Sequence, residues 1–275
     1  MIRLLGEPDR GKVMDLLVPE STVNLFVIGD IENFGFDSDF QQVWGDFDSP
    51  GNLRAVLLRY HGSFISYSPG DFDVDGLAEV VRRQRERLSA FSGLDRVMCR
   101  FEARAADLLS QAFRKRTLFF LELKSGERLT ALKRELPYEL ARAVPDDAPA
   151  MLDLWRETDG FRASRDGEQA LRLELERGSG RAYVVRDGRR VVATARTTAE
   201  NSRSAMVTAV VTHPDYRRRG LATQLLVRLC GELLAESKLP CLLYDNPEAG
   251  SIYRRLGFTD VGTWVLYEFR ALGRA

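Results

Sequence analysis

Cysteine is scarce in this chain: Cys99, Cys230 and Cys241 are odd in number, far apart and without a CxxC spacing. That pattern argues against a disulfide framework and points to a reducing cytoplasm. Histidine is scarcer still, with only His61 and His213, so no Cys/His/carboxylate cluster stands at ligand spacing and no metal is expected. Net charge is absent as well. The 40 Lys and Arg are balanced by 40 Asp and Glu, so no global field favours nucleic acid or an anionic membrane, and any anion site has to be local. No segment approaches the ~20 apolar residues of a membrane span, and the opening MIRLLGEPDRGK has no secretory pattern. A soluble cytoplasmic protein is the expectation. With 44% apolar and 29% charged residues, long disorder is not expected. A length of 275 residues suits two cores better than one.

What the chain does contain is HPDYRRRGLATQLL, from His213 to Leu226. An apolar strand ending in Ala209, Val210 and Val211 runs into Arg217-x-x-Gly220-x-Ala222 and then into a helix striped by Leu221, Leu225, Leu229 and Leu233. Such a turn offers an anion unpaired backbone N–H groups and the positive end of a helix dipole. A second element, DNPEAGSIYRRLGF, runs from Asp245 to Phe258 and places Tyr253 seven residues after Asn246.

The charged stretch KSGERLTALKRELP reads as a linker over 124–137, separating a domain over 1–123 from one over 138–275. Beyond it the pattern predicts β-α-α-β-β-β-α-β-α-β. The elements are a strand at Tyr138 to Val144, helices through Met151, Leu154, Trp155 and Thr158 and over Gly167 to Arg177, and strands either side of the Asp187-Gly188 turn. A strand at Ala205 to Val211, the leucine-striped helix, a strand at Cys241 to Tyr244, a helix from Pro247 to Leu256 and a strand or strand pair to Phe269 follow. The first half has a weaker version of this rhythm: helices over Asp9 to Leu17, Val23 to Asn33 and Val74 to Arg87, strands over Gln41 to Phe47 and Arg54 to Tyr67. Where the Arg/Gly turn would fall, it reads SPGDFDVDG, whose three aspartates repel a diphosphate.

These two elements, with the order around them, resemble the acyl-CoA-binding core of the Gcn5-related N-acetyltransferase (GNAT) superfamily. The tandem layout resembles its FR47-like and glycine N-acyltransferase-like members. The resemblance implies an α/β (α+β) acyl-CoA N-acyltransferase fold, a mixed splayed sheet flanked by helices, preceded by a degenerate acetyltransferase-like N-terminal domain. It implies acetyl-CoA as acyl donor, no metal, and direct attack by a primary amine of a small molecule or peptide in a ternary complex; homodimers also occur in the family. A non-catalytic acyl-CoA sensor or scaffold is the alternative.

Carried onto this sequence, the resemblance assigns the diphosphate to the backbone of Arg218, Arg219, Gly220, Leu221, Ala222 and Thr223, with Arg217 and its neighbours adding charge. Ala209, Val210 and Val211 would pair with the pantetheine arm, one N–H near Val210 polarising the thioester carbonyl. Tyr253 would protonate the leaving thiolate, since a phenol near pKa ~10 is protonated at neutral pH and donation to the conjugate base of a thiol near ~8.5 is only mildly uphill; packing on the sheet is the other reading. Asn246 would bond the pantetheine arm or cap the next helix. The family often places a glutamate on the central strand, but AMVTAVV has none. Glu200 in the preceding turn is the substitute base, with Thr208 ordering a water as another option. Cys230 and Cys241 read as core thiols.

Overall fold

The structure is a computed structural model, and it describes residues 1–159, 167–178 and 180–270. The chain divides into two compact units, one of residues 1–120 and 261–275, the other of 121–260. The division departs from the expected linker at 124–137. Residues 264–268 of the Thr259–Glu268 strand pair antiparallel with Ala90–Leu94 of the first unit, Trp264 opposite Leu94. Leu121 and Leu123 go instead into the second unit's core, and the Leu123 amide donates to the Pro240 carbonyl at 2.8 Å. The supposed linker contains a helix, Glu127–Leu132, whose Leu129 is buried in that same core. Charge and one glycine suggested a tether, but a leucine at the buried position of a short helix outweighs them.

In the first unit, strands Ile2–Leu4, Gln41–Phe47, Leu53–Tyr60, Ser63–Tyr67 and Ala90–Leu94 lie in that order. The run predicted over Arg54 to Tyr67 is a hairpin that turns at His61 and Gly62. Ser63–Tyr67 and Ala90–Leu94 pair in parallel over three positions, Ser63–Ile65 against Ala90–Ser92, and the helix Val74–Arg83 connects them. Phe64, Leu77, Val81, Phe91 and Phe101 are buried together in the core.

The second unit repeats this arrangement with longer strands. Glu139–Arg142, Ala182–Asp187, Arg190–Thr198 and Ser204–Thr212 form an antiparallel run, with Gly188 at φ +59° in the predicted turn. The helices Ala148–Asp159 and Gly167–Arg177 precede its second strand. Ser204–Thr212 and Leu239–Tyr244 then run parallel, but only Ser204–Met206 pair, against Leu239–Cys241. Beyond Met206 the two strands part, the splay expected of the fold. The helix Leu221–Ala235 buries Leu221, Leu225, Leu226, Leu229 and Leu233 under the sheet. Among the described residues no helix is long and apolar enough to cross a membrane, and no three His, Cys, Asp or Glu converge as metal ligands.

Candidate active site

The turn after Ser204–Thr212 is shaped by two left-handed residues, Arg218 at φ +62° and Gly220 at φ +80°. Gly220 is the N-cap of Leu221–Ala235, and no side chain caps that terminus. The first-turn N–H groups of a 15-residue helix are therefore left for a ligand or solvent. Glycine is favoured by this φ, while the Arg134 guanidinium, Nη2 1.9 Å from where a Cβ would stand, is the tip of a flexible side chain that could move aside.

This terminus opens into a cleft of about 740 Å³ in the second unit. Of the residues expected at the site, Val210, Val211, Arg217, Arg218, Gly220, Leu221, Ala222, Thr223, Asn246 and Tyr253 all line it. The splay brings them together, because strands that part after Met206 leave a gap between the end of one and the helix following the other. Four arginines, Arg134, Arg217, Arg218 and Arg255, face one carboxylate, Glu248, along its walls. In a chain with no net charge this is a local positive field of the kind a diphosphate requires.

Tyr253 is buried, with its ring edge-on to Tyr244 at 5.6 Å and to Phe258 at 5.9 Å. It both packs and faces the cleft. Asn246 Oδ1 accepts from the Glu248 amide at 2.9 Å, so it caps Pro247–Leu256 while lining the cleft. Of the two readings of Asn246, the cap is already made.

Three expected residues do not line the cleft. Arg219 donates to the Asp215 carbonyl at 2.8 Å and to the Tyr138 hydroxyl, and its guanidinium lies 4.9 Å from the Tyr216 ring centroid, so its charge is spent on the loop itself. Ala209 faces the sheet, its carbonyl accepting from the Thr194 hydroxyl at 2.8 Å. Glu200 lies before the start of Ser204–Thr212, whereas the cleft is at that strand's far end. There it pairs with Arg181 and, at 2.7 Å, with Lys238. Burial alone would raise its carboxyl, but hydrogen bonds from Arg181 and Lys238 win and hold it below the ordinary range. A carboxylate so placed and so paired is a structural clamp, and the base role expected of it is withdrawn.

Sequence reasoning missed Arg134, Arg255 and Thr158. The Arg134 guanidinium donates to the Arg219 carbonyl at 2.6 Å, over the turn. Its segment is held there by Gln224, a 4% exposed amide that accepts from the Arg134 N–H at 2.9 Å and donates to the Leu132 carbonyl at 2.8 Å. A glutamine inside a leucine stripe was the available signal. Arg255 reaches Thr223 Oγ1 at 3.3 Å. Thr158 lines the cleft with a buried hydroxyl that has no hydrogen-bond partner among the described residues. Burial pushes the Cys230 and Cys241 thiols well up, so neither is poised as a nucleophile. His213 ends its strand, receiving the Asp215 amide on Nδ1 at 3.3 Å, and Arg190 lies 2.8 Å from its Nε2.

Residues 175–267 match the family model for GNAT acetyltransferases. A stretch of 69 residues is 35% identical to an uncharacterized N-acetyltransferase, ycf52, of Porphyra purpurea, spanning 25% of this chain and 40% of that one. The chain thus covers about two fifths of the length of that curated relative. Some solved structures match along nearly the whole chain. A tandem GNAT protein from the clavulanic acid biosynthesis pathway aligns with 100% of this chain and 99% of its own at TM-score 0.61 and 16% identity. A GCN5-related N-acetyltransferase from Sphaerobacter thermophilus aligns with 97% and 94% at TM-score 0.61 and 16% identity. Likeness at that identity concerns the fold. The Gly220 turn, the helix behind it and Tyr253 all fall within 175–267, the stretch that matches the GNAT acetyltransferase model, in a chain whose fold is similar to that of a tandem GNAT protein.

Proposed function

We propose that the protein is an N-acyltransferase that moves an acetyl or other acyl group from acetyl-CoA to a primary amine of a small molecule or peptide, the second unit being catalytic. The observation that carries this reading is the uncapped helix terminus at Gly220, open to a cleft that Tyr253 and the end of a splayed strand share. The residues present suit a diphosphate: backbone N–H groups without a side-chain cap, a glycine at the left-handed N-cap, and four arginines on the walls.

Acyl-CoA supplies the activated carbonyl. Val210 and Val211 offer backbone groups to the pantetheine arm and the thioester oxygen, and Tyr253 donates its phenolic proton to the departing sulfur. With Glu200 locked in its ion cluster, the acceptor amine attacks in its neutral form without a dedicated carboxylate base; its nitrogen loses one proton to solvent as the amide forms and the carbon–sulfur bond breaks, and solvent reprotonates Tyr253. The first unit is a related copy without the binding turn. Calorimetry with acetyl-CoA, followed by thiol release with a panel of primary amines, tests the reading. Binding without thiol release from any amine would favour an acyl-CoA sensor, which the lack of a free carboxylate at the strand also suits. No binding at all to folded protein would end both readings.

A further inference from the structure

The strand Ser204–Thr212 carries an irregularity that the assigned residues do not explain. Thr208 lies opposite Arg196 and Val211 opposite Thr194, so Ala209 and Val210 together face the single residue Ala195. This is a β-bulge, and Ala209 adopts φ +48° in it without being glycine. The strain needs an external hold.

The hold is a directed chain of two hydrogen bonds. Trp155, on Ala148–Asp159, donates its indole N–H to Thr194 Oγ1 at 2.8 Å, and Thr194 Oγ1 lies 2.8 Å from the Ala209 carbonyl. Thr194 is fully buried and Trp155 is 4% exposed. An indole N–H can only donate, so the threonine oxygen accepts from it and the single hydroxyl proton goes to Ala209. The order of the chain is fixed.

Its consequence lies in the next bond. In a planar trans peptide the C=O and the following N–H point in opposite directions, and the described chain has no cis bonds. Tying the Ala209 carbonyl toward Arg190–Thr198 therefore aims the Val210 N–H the other way, to the side where Leu239–Tyr244 has already parted from the strand. That side is the cleft, which Val210 lines.

We propose that Trp155 and Thr194 are positioning residues that aim the Val210 N–H at the acyl carbonyl. The inference rests on the acyltransferase reading and adds residues that lie outside the lining of the cleft. Thr194→Val keeps the shape and removes the hydroxyl, Thr194→Ser restores the hydroxyl, and Trp155→Phe removes the donor. With acetyl-CoA and the best-used amine of the panel, Thr194→Val is expected to lower kcat about tenfold, while the calorimetric affinity for CoA stays within about twofold because the diphosphate grip is elsewhere. Thr194→Ser should recover most of the rate, and Trp155→Phe should fall between. The Val210 amide resonance of the ligand-free protein should shift in Thr194→Val and Trp155→Phe and return in Thr194→Ser, a readout that needs no activity. An unmoved Val210 resonance and unchanged kcat in folded Thr194→Val would overturn the inference alone, as would a serine variant as slow as the valine. Wild-type protein that binds CoA but acylates no amine would overturn the acyltransferase reading and this inference with it.

Discussion

The two units answer the same question about a helix terminus in opposite ways. Val74–Arg83 and Leu221–Ala235 each follow a strand that pairs in parallel with its successor over only three positions. In the first unit the N-cap is Asp73, whose carboxylate accepts from the Gly76 amide at 2.9 Å. Asp71 and Asp75 flank it and are themselves paired with Arg100 and Arg104 of the next helix. In the second unit the N-cap is Gly220, and arginines line the space in front of it. One terminus carries its own anion and the other is open to one from outside. Two units of similar strand order can therefore differ chiefly in where the negative charge for a helix dipole comes from.

The strongest way to break this comparison is to add a side chain at each terminus. Gly220→Val is expected to weaken acetyl-CoA binding by about 100-fold or more, equivalent to ~2.7 kcal/mol, because a β-branched residue resists the left-handed φ that shapes the turn and its Cβ displaces the Arg134 guanidinium. Gly76→Val meets Ile2 Cδ1 at 2.3 Å and the Asp73 carboxylate at 2.5 Å. It should leave CoA affinity unchanged and cost roughly 1–3 kcal/mol of stability by overpacking. Calorimetry and thermal melting on both variants separate the effects, and equal losses of CoA affinity would erase the asymmetry.

Next in size is Tyr253→Phe, for which turnover should fall about tenfold with acetyl-CoA affinity nearly intact, the mark of a proton supplied in the transition state. An unchanged rate would leave Tyr253 only its packing against Tyr244 and Phe258. Arg134→Ala should be milder, weakening CoA binding about threefold to tenfold and flattening its salt dependence, since an exposed guanidinium acts through screened attraction. Arg104→Ala, the corresponding removal beside the first helix terminus, should leave CoA binding untouched.

How far these features could be read from the sequence follows from how local they are. Gly220 and its arginines, the Asp187-Gly188 turn and the Asp73 cap are encoded within a few residues, by backbone requirements that few side chains meet. Tyr253 was reachable through spacing along one helix. Arg134 was not, because its place over the turn depends on Gln224, ninety residues on. Nor was the bulge, since alanine at a left-handed position leaves no mark and its support comes from Trp155 and Thr194 on other elements. Glu200 was misjudged because nearness along the chain to the central strand says nothing about which end of it faces the cleft. The expected boundary at 124–137 missed the exchange of Leu121 and Leu123 against residues 261–268 for the same reason, as strand partners are chosen by tertiary packing.

The smallest expected effect concerns pH, where the two units should again differ in sign. In the first unit, burial holds the Asp30 carboxyl up at about 7. A folded value above the unfolded one of ~3.9 means that this group favours the native state fully below pH ~4, and that the contribution is lost as pH rises toward 7. In the second, hydrogen bonding from Arg181 outweighs burial and holds Glu236 down at about 2. Its contribution is present above pH ~4.5 and lost as pH falls toward 2. Asp30→Asn should therefore stabilise at pH 8 by on the order of 1–2 kcal/mol and change nothing at pH 4. Glu236→Gln should destabilise at pH 7 by less than about 1 kcal/mol, because a side chain 48% exposed is screened by water, and that cost should vanish near pH 2. Melting curves of the two variants across this range would show opposite slopes relative to wild type. A shared sign would mean that the charge on Asp30 is solvated in the folded protein, and that this acid does not set the first unit apart from the second.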